Sequence, residues 1–185
     1  GHLEPAGFPV ARAFSQQWYW SLMWPLAGLD AVAHASVRMI LHALGAVAVA
    51  RIAMRVGQSS LGSLISGLIF AASPVAFTVL FWASGIQELL AGLFALWAVE
   101  RWLGSGRRDL TIAFLFGVLS MMAKEPGLGL PVLFLGISAF SGNWSRTRLG
   151  LIVVLFLMAG WELSLVQGHF ASGQGDPYSI GGLDV

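Results

Sequence analysis

The sequence contains no cysteine and few charged residues. The absence of cysteine excludes disulfides, thiolate metal sites and cysteine nucleophiles. Charged residues make up only 10% of the chain, whereas soluble domains carry about a quarter. The formal net charge of +1 gives no indication of a nucleic-acid-binding surface, so we expect no nucleic-acid partner. The first residues also lack the basic region and apolar core of a cleavable signal peptide.

Hydrophobic residues are abundant and occur in long runs. They make up 57% of the chain, with a mean hydropathy of +0.77, and include 8 Trp and 12 Phe. Runs of this length, without the alternation of half-buried strands, are typical of membrane-spanning helices. The sequence therefore predicts an all-α, polytopic bundle of transmembrane helices in a single domain.

Six hydrophobic segments follow a mixed aromatic and polar stretch. Residues 1–29 predict an outer interfacial segment, partly helical over Ala13 to Leu29 and broken at Pro25. Residues 30–170 hold the six predicted spans, and residues 171–185 begin an outer loop. The spans are about Ala31 to Val56, Leu61 to Trp82, Gly85 to Leu103, the run after Asp109 to Ala123, Gly127 to Phe140, and Leu149 to Phe170.

Candidate caps mark the beginnings of several of these helices. They are Asp30, Ser59, Ser84 with Gln87 as a capping box, and Asp109. Spans four and five are only about 15 residues long, or roughly 22 Å, against a bilayer core of about 30 Å. Their shared turn is therefore expected below the membrane surface, facing a cavity.

Basic residues alternate between the predicted loops. Seven of the ten Lys and Arg lie on every second loop, and they are Arg51, Arg55, Arg101, Arg107, Arg108, Arg146 and Arg148. Because cytoplasmic loops carry the excess of Lys and Arg, these loops are assigned to the cytoplasm and both chain ends to the outside. Glu100 beside Arg101 is interpreted as a surface pair at this cytoplasmic end.

The opposite, outer ends carry a mixed set of polar residues. Lys124 and Glu125 lie in the turn "AKEP", and Glu88 lies one turn into the third span, after Trp82. His34, Arg38 and His42 recur every four residues, so they share one face of the first span. Each also has a simpler interpretation, as a capping, snorkelling or hydrogen-bonding group. Glu162 in the sixth span is left open between a functional and a structural carboxylate.

Two cations and two carboxylates near one outer cavity suit a ligand that carries phosphate. Lys124 and Arg38 are the candidate phosphate-binding residues, because arginine binds phosphate in a bidentate manner and lysine as a point charge. Glu125, Glu88, His42 and Trp82 are the candidate residues that line the site. No spacing of His and carboxylates predicts a metal site, although the carboxylates leave a divalent cation open.

Three stretches resemble the core of GT-C fold glycosyltransferases. The nearest branch is that of the O-mannosyltransferases with transmembrane and tetratricopeptide parts and their bacterial relatives. These typically show "LLH", then a "HPVHVEAVAWISGRKDLL"-like junction, then "LLSKETAVTLP". The matching stretches are "MILHAL" (Met39 to Leu44), "SPVAFTVLFWASGIQELL" (Ser73 to Leu90) and "SMMAKEPGLGLP" (Ser120 to Pro131). Their order and spacing agree over roughly residues 12–140.

The resemblance implies transfer of a sugar from a polyprenyl-phosphate donor, as in protein O-mannosylation, on the periplasmic or lumenal face. Lys124, Glu125, Trp82, Ser84, Gly85 and His42 match the family's motifs directly, and Glu88 stands for its Asp. Departures are Ser73 and Ala76 for two His, Thr78 for Glu, Ile86 and Gln87 for Arg-Lys, Arg38 for Asn, and His34 displaced by one position. Donor or acceptor recognition is expected to differ accordingly.

The expected protein is thus part of a membrane glycosyltransferase of a bacterial inner membrane. Its partners would be membrane lipid, the polyprenyl-phosphate sugar donor and an acceptor protein or glycan. The family's acidic catalytic residues lie in a first outer loop that nothing here resembles, so the base is unassigned and the chain alone is expected to be inactive. The alternatives are a transporter or flippase for a lipid-linked anionic solute, and a non-catalytic membrane scaffold.

Overall fold

The computed structural model describes residues 13–82 and 85–171, and the described part is entirely helical. A π-helical turn, Ala13–Trp18, runs into the first α-helix. A 3-10 helix, Glu125–Gly129, separates two later helices. The α-helices are α1 (Tyr19–Ala27), α2 (Ala31–Arg55), α3 (Ser60–Ala71), α4 (Ala76–Phe81), α5 (Ile86–Trp102), α6 (Arg107–Ala123), α7 (Leu130–Ser141) and α8 (Arg146–Ala171).

The helix α5–α6 hairpin forms the centre of the fold. α2 packs against both α5 and α3, while α8 packs against α6 and α7, and α7 also contacts α5. One core cluster surrounds Trp102, Phe134 and Leu155, which are fully buried. The Trp102 and Phe134 rings stack with centroids 4.3 Å apart. A second cluster forms around Ile86, where α1 packs on α5 through Tyr19 and Met23.

Three of the predicted helix beginnings and ends need correction. The second segment is not one helix: it breaks at Ser73 and Pro74 into α3 and α4, because proline lacks an N–H and disfavours a helical residue before it. Pro25 does not break its segment but lies inside α1, two residues before that helix ends. Asp109 is not an N-cap, since α6 begins at Arg107 after Gly106.

Other caps agree with the sequence or fall outside the described residues. The Asp30 carboxylate accepts hydrogen bonds from the Val32 and Ala33 amides, and the Ser59 hydroxyl accepts one from the Gly62 amide. Ser84, half of the predicted capping box, lies outside the described residues. The residue that precedes α5, Gly85, makes no side-chain cap.

Within residues 13–82 and 85–171, two helices have the length and apolar composition that a membrane span requires. They are Ala31–Arg55 and the Arg146–Ser164 part of α8. Only 28% of each apolar window is buried in the fold, whereas the core helix of a soluble protein would be mostly covered. Large apolar side chains are also exposed elsewhere, such as Phe140 on α7 and Ile69 on α3. These two helices indicate an association with a membrane, and the full six-span bundle is not established by them.

The ends of the helices divide the charges into two groups. One end of the fold is formed by the last turns of α2 and α5 and the first turns of α6 and α8. It carries all seven arginines of the alternate predicted loops. The opposite end carries Arg38, Glu88, Lys124 and Glu125. We call them the arginine end and the lysine end.

Candidate functional site

Lys124 lies where the chain leaves α6 and turns into the 3-10 helix. Its backbone is extended, with φ −167° and ψ 160°, so the α-helix stops at Ala123. Its amide still donates to the Ser120 carbonyl at 3.3 Å. The turn is anchored to its neighbours, because the Ser120 hydroxyl donates to the Ala91 carbonyl of α5 and the Ser15 hydroxyl donates to the Ala123 carbonyl. Lys124 is therefore held at a fixed place beside the beginning of α5.

The ammonium group of Lys124 pairs with Glu88 in the first turn of α5. The lysine Nζ donates to Glu88 Oε1, and the two side chains are 24% and 41% exposed. The other carboxylate oxygen, Oε2, is buried and has no hydrogen-bond partner among the described residues. Buried carboxylate oxygens are nearly always hydrogen-bonded, so this oxygen is suited to accept a donor from a ligand or a water.

Glu88 also lines a cavity of about 440 Å³ between α2, α3, α4 and α5. Its walls are mostly apolar, and the residues that form them include Leu41, Phe70, Val79, Leu93 and Leu96. The polar lining comes from His42, Ser73 and Glu88. An apolar volume of this size with a few polar groups has the character of a small-molecule site, for which about 300–1,000 Å³ is usual.

The predicted stripe on α2 is confirmed as one buried face, and each of its members has a partner. His34 contacts the Tyr19 hydroxyl at 3.2 Å and the Gly28 carbonyl at 3.0 Å, which ties α1 to α2. Burial raises the pKa of the Tyr19 phenol, and the nearby positive charge of Arg38 opposes that effect.

The other two members of the stripe, His42 and Arg38, contact α3 and α4, the two helices into which the second predicted segment divides. His42 Nε2 lies 3.2 Å from the Ala71 carbonyl at the end of α3, and its ring stacks on Phe70. Arg38 Nε donates to the Leu80 carbonyl of α4 at 2.7 Å. Carbonyls at helix ends need such partners where water is absent. Arg38 therefore has a structural task, and its predicted phosphate-binding role stays a prediction.

Two further predicted site residues occupy the lysine end. Glu125 begins the 3-10 helix and is partly buried. Trp82 follows α4 and is 66% exposed, so it lies on the surface of the protein and does not line the cavity. The structure thus brings Glu88 and His42 to one cavity, connects Lys124 to it through the ion pair with Glu88, and places Arg38 on a carbonyl of the cavity's α4 wall.

A buried ionic cluster at the arginine end was missed by the sequence interpretation. Glu100 is not part of a surface pair, because it is fully buried. Its Oε1 accepts hydrogen bonds from Arg51 at 2.9 and 3.1 Å and from Arg55 at 2.8 Å. Arg101 contacts Oε2 at 3.0 Å and also pairs with Asp109. The spacing of Arg51 and Arg55, one helical turn apart, was the available signal.

No metal site is evident in the described part of the chain. Within residues 13–82 and 85–171, no three His, Asp or Glu side chains lie close enough together to hold a metal ion. Glu162 of α8 is buried and remains open between its two interpretations.

Comparison with known proteins identifies no relative. No protein family matches the chain, and no curated protein or solved structure does so either.

Proposed function

We propose that the chain is part of a membrane glycosyltransferase that moves a sugar from a polyprenyl-phosphate donor to an acceptor protein or glycan. The observation that carries the proposal is the Lys124–Glu88 pair at an apolar cavity. An amphiphilic donor has an apolar tail and a phosphate head, and this arrangement offers a matched environment to each. The resemblance of "AKEP" and "FWASGIQELL" to GT-C fold enzymes supports the same ligand.

Lys124 can hold a phosphate without leaving Glu88. Its ammonium has three N–H donors, so one can remain on Glu88 Oε1 while another meets a phosphate oxygen. As the sugar leaves, negative charge grows on the phosphate, and a positioned cation stabilises that charge. The acceptor hydroxyl needs a base, which is not assigned to any residue of this chain.

The proposed setting is a bacterial inner membrane with the arginine end in the cytoplasm. The positive-inside rule supports that orientation, because seven arginines gather at one end of the fold. Under this proposal the cavity opens toward the periplasm. Four shorter segments cross the membrane together with α2 and α8, and they are α3 with α4, α5, α6, and the 3-10 helix with α7. The break between α3 and α4 is compatible with that depth, since His42 and Arg38 satisfy carbonyls beside it.

A non-catalytic scaffold is the second candidate function. The contact that favours it is the Arg38 hydrogen bond to Leu80, because a residue that caps a neighbouring helix needs no ligand to explain it. Transport of a lipid-linked anionic solute is a third alternative, which no contact among the described residues specifically favours.

Titration with two prenyl lipids tests the phosphate site. The chain in lipid nanodiscs is titrated with a polyprenyl phosphate and with the matching polyprenol, and intrinsic Trp fluorescence reports binding. We expect the phosphate to bind at least tenfold more tightly, because hydrogen bonds to charged groups contribute about 1.5–3 kcal/mol. Lys124→Gln should remove that preference, and Lys124→Arg should keep most of it. Equal affinity of the wild-type chain for both lipids would exclude the site and leave the scaffold.

A further inference from the structure

The arginine end holds more positive charge than its carboxylates can neutralise. Three guanidinium groups, those of Arg51, Arg55 and Arg101, surround the two carboxylates of Glu100 and Asp109. One positive charge is therefore left over within the cluster itself. An uncompensated charge at the edge of a low-dielectric region is costly unless an anion or water reaches it.

The three arginine side chains are partly exposed, although the carboxylate that they share is buried. The side chains of Arg51, Arg55 and Arg101 are 40%, 29% and 29% exposed, while Glu100 is 0% exposed. The carboxylate thus acts as a buried anchor that fixes the orientation of the guanidinium groups. Trp97 also helps to fix the orientation of Arg51, because the Arg51 guanidinium lies over its ring, 5.7 Å from the centroid.

Two more cations begin the neighbouring helix. Arg107 and Arg108 are exposed in the first turn of α6, the same turn that presents Asp109. Neither forms an ion pair with another residue within 13–82 or 85–171. The positive end of a helix dipole disfavours cations, so this placement has an unfavourable electrostatic energy that a bound anion would offset.

Apolar surface borders the cluster. Met54 and Val56, the chain neighbours of Arg55, are 51% and 59% exposed. Positive groups beside exposed apolar side chains match the boundary between lipid headgroups and acyl chains. The acyl chains of a lipid can cover that apolar border, whereas a soluble anion such as phosphate has no apolar part to do so.

We propose that Arg51, Arg55 and Arg101, which surround Glu100, together with Arg107 and Arg108 in the first turn of α6 beside Asp109, bind the phosphate group of an anionic phospholipid headgroup. The lipid is distinct from the prenyl donor, since it would lie at the opposite end of α5 from Glu88. The arginines supply several directed N–H donors to the phosphate oxygens, and Met54 and Val56 contact the upper part of the acyl chains.

The exposed pair on α6 gives the cleanest test. The purified chain in neutral detergent is mixed with phosphatidylglycerol, phosphatidylcholine or inorganic phosphate, and bound lipid is counted by native mass spectrometry. We expect phosphatidylglycerol to bind at least tenfold more tightly than phosphatidylcholine, and this preference should weaken as salt is raised. The double substitution Arg107→Gln/Arg108→Gln should weaken binding roughly fivefold per arginine removed.

A control on another helix separates the site from bulk charge. Arg146→Gln removes one exposed arginine of the same end, which begins α8 and lies outside the α2, α5 and α6 positions of the proposed site. It should leave the preference within about twofold of the wild type, against roughly fivefold for each arginine removed from α6. Displacement of phosphatidylglycerol by inorganic phosphate at millimolar concentration would contradict the contribution of the apolar border and assign the arginines to a soluble phosphate instead. Equal binding of the two lipids, or an equal loss per arginine with Arg146→Gln, would overturn the proposal. None of these outcomes depends on the Lys124 site.

Discussion

Replacing Glu100 with glutamine is expected to destabilise the fold by about 3–5 kcal/mol. The substitution keeps the shape of the side chain but removes the negative charge that three arginines share. Neutralising the buried partner of these ion pairs has a cost of that order, because the three partly exposed guanidinium groups lose the carboxylate that they share and the glutamine NH₂ group would face arginine N–H donors. Thermal unfolding followed by intrinsic fluorescence should show a melting temperature at least about 6 °C lower.

Asp109→Asn is the matched control for Glu100→Gln. It removes a carboxylate of the same cluster, but Asp109 is 26% exposed and, among the described residues, forms an ion pair with Arg101 alone. We expect a loss of no more than about 1 kcal/mol. The double variant Glu100→Gln/Arg55→Gln should recover part of the lost stability, because one uncompensated cation is gone. Equal melting temperatures for Glu100→Gln and Asp109→Asn would contradict the role of Glu100 as the buried anchor.

Gly127→Ala is expected to have the second large effect, about 3 kcal/mol. A Cβ atom on Gly127 would lie 2.5 Å from the carbonyl carbon and oxygen of Ser120 and 2.6 Å from the Met121 nitrogen. These are backbone atoms at the end of α6, so they cannot rotate away as a side chain could. Overpacking that forces a backbone shift typically costs 1–3 kcal/mol, and this contact is at the severe end.

The same 3-10 helix offers the control for this substitution. Gly129 has no atom within 4 Å of its Cβ position, so Gly129→Ala should change the melting temperature by no more than a degree or two. Because the Ser120 carbonyl also accepts the Lys124 amide, Gly127→Ala should displace Lys124 and weaken binding of the prenyl phosphate as well. Unchanged stability with Ala at position 127 would mean that the turn is not packed as described.

Helix positions were largely predictable because long apolar runs and caps are local signals. Asp30 and Ser59 cap their helices as expected, since capping depends on residues two or three positions away. Asp109 shows the limit of that rule. Its carboxylate pairs with Arg101, and an N-cap preference cannot compete with an available guanidinium on the neighbouring helix.

Contacts between distant segments were predictable only in outline. The sequence indicated that Glu88 and Lys124 belong to the same end, but their ion pair depends on how α5 packs against α6. The role of Arg38 depends on a break in another segment, and a single proline such as Pro74 within a long apolar run does not by itself distinguish two helices from one kinked helix. Glu100 was misplaced for a similar reason, since adjacency to Arg101 says nothing about a helix that lies 45 residues earlier.

The most direct measurement is to map where a photoactivatable polyprenyl phosphate attaches to the chain. The reagent, carrying a diazirine in its first isoprene unit, is irradiated with the protein in nanodiscs, and labelled residues are identified by mass spectrometry. A donor site at Lys124 predicts labels on the cavity walls, at residues such as Phe70, Val79 and Leu93, that disappear when unlabelled polyprenyl phosphate is added. Labels confined to the exposed faces of α3, α7 and α8, unaffected by competitor, would contradict a phosphate-lipid site at this cavity.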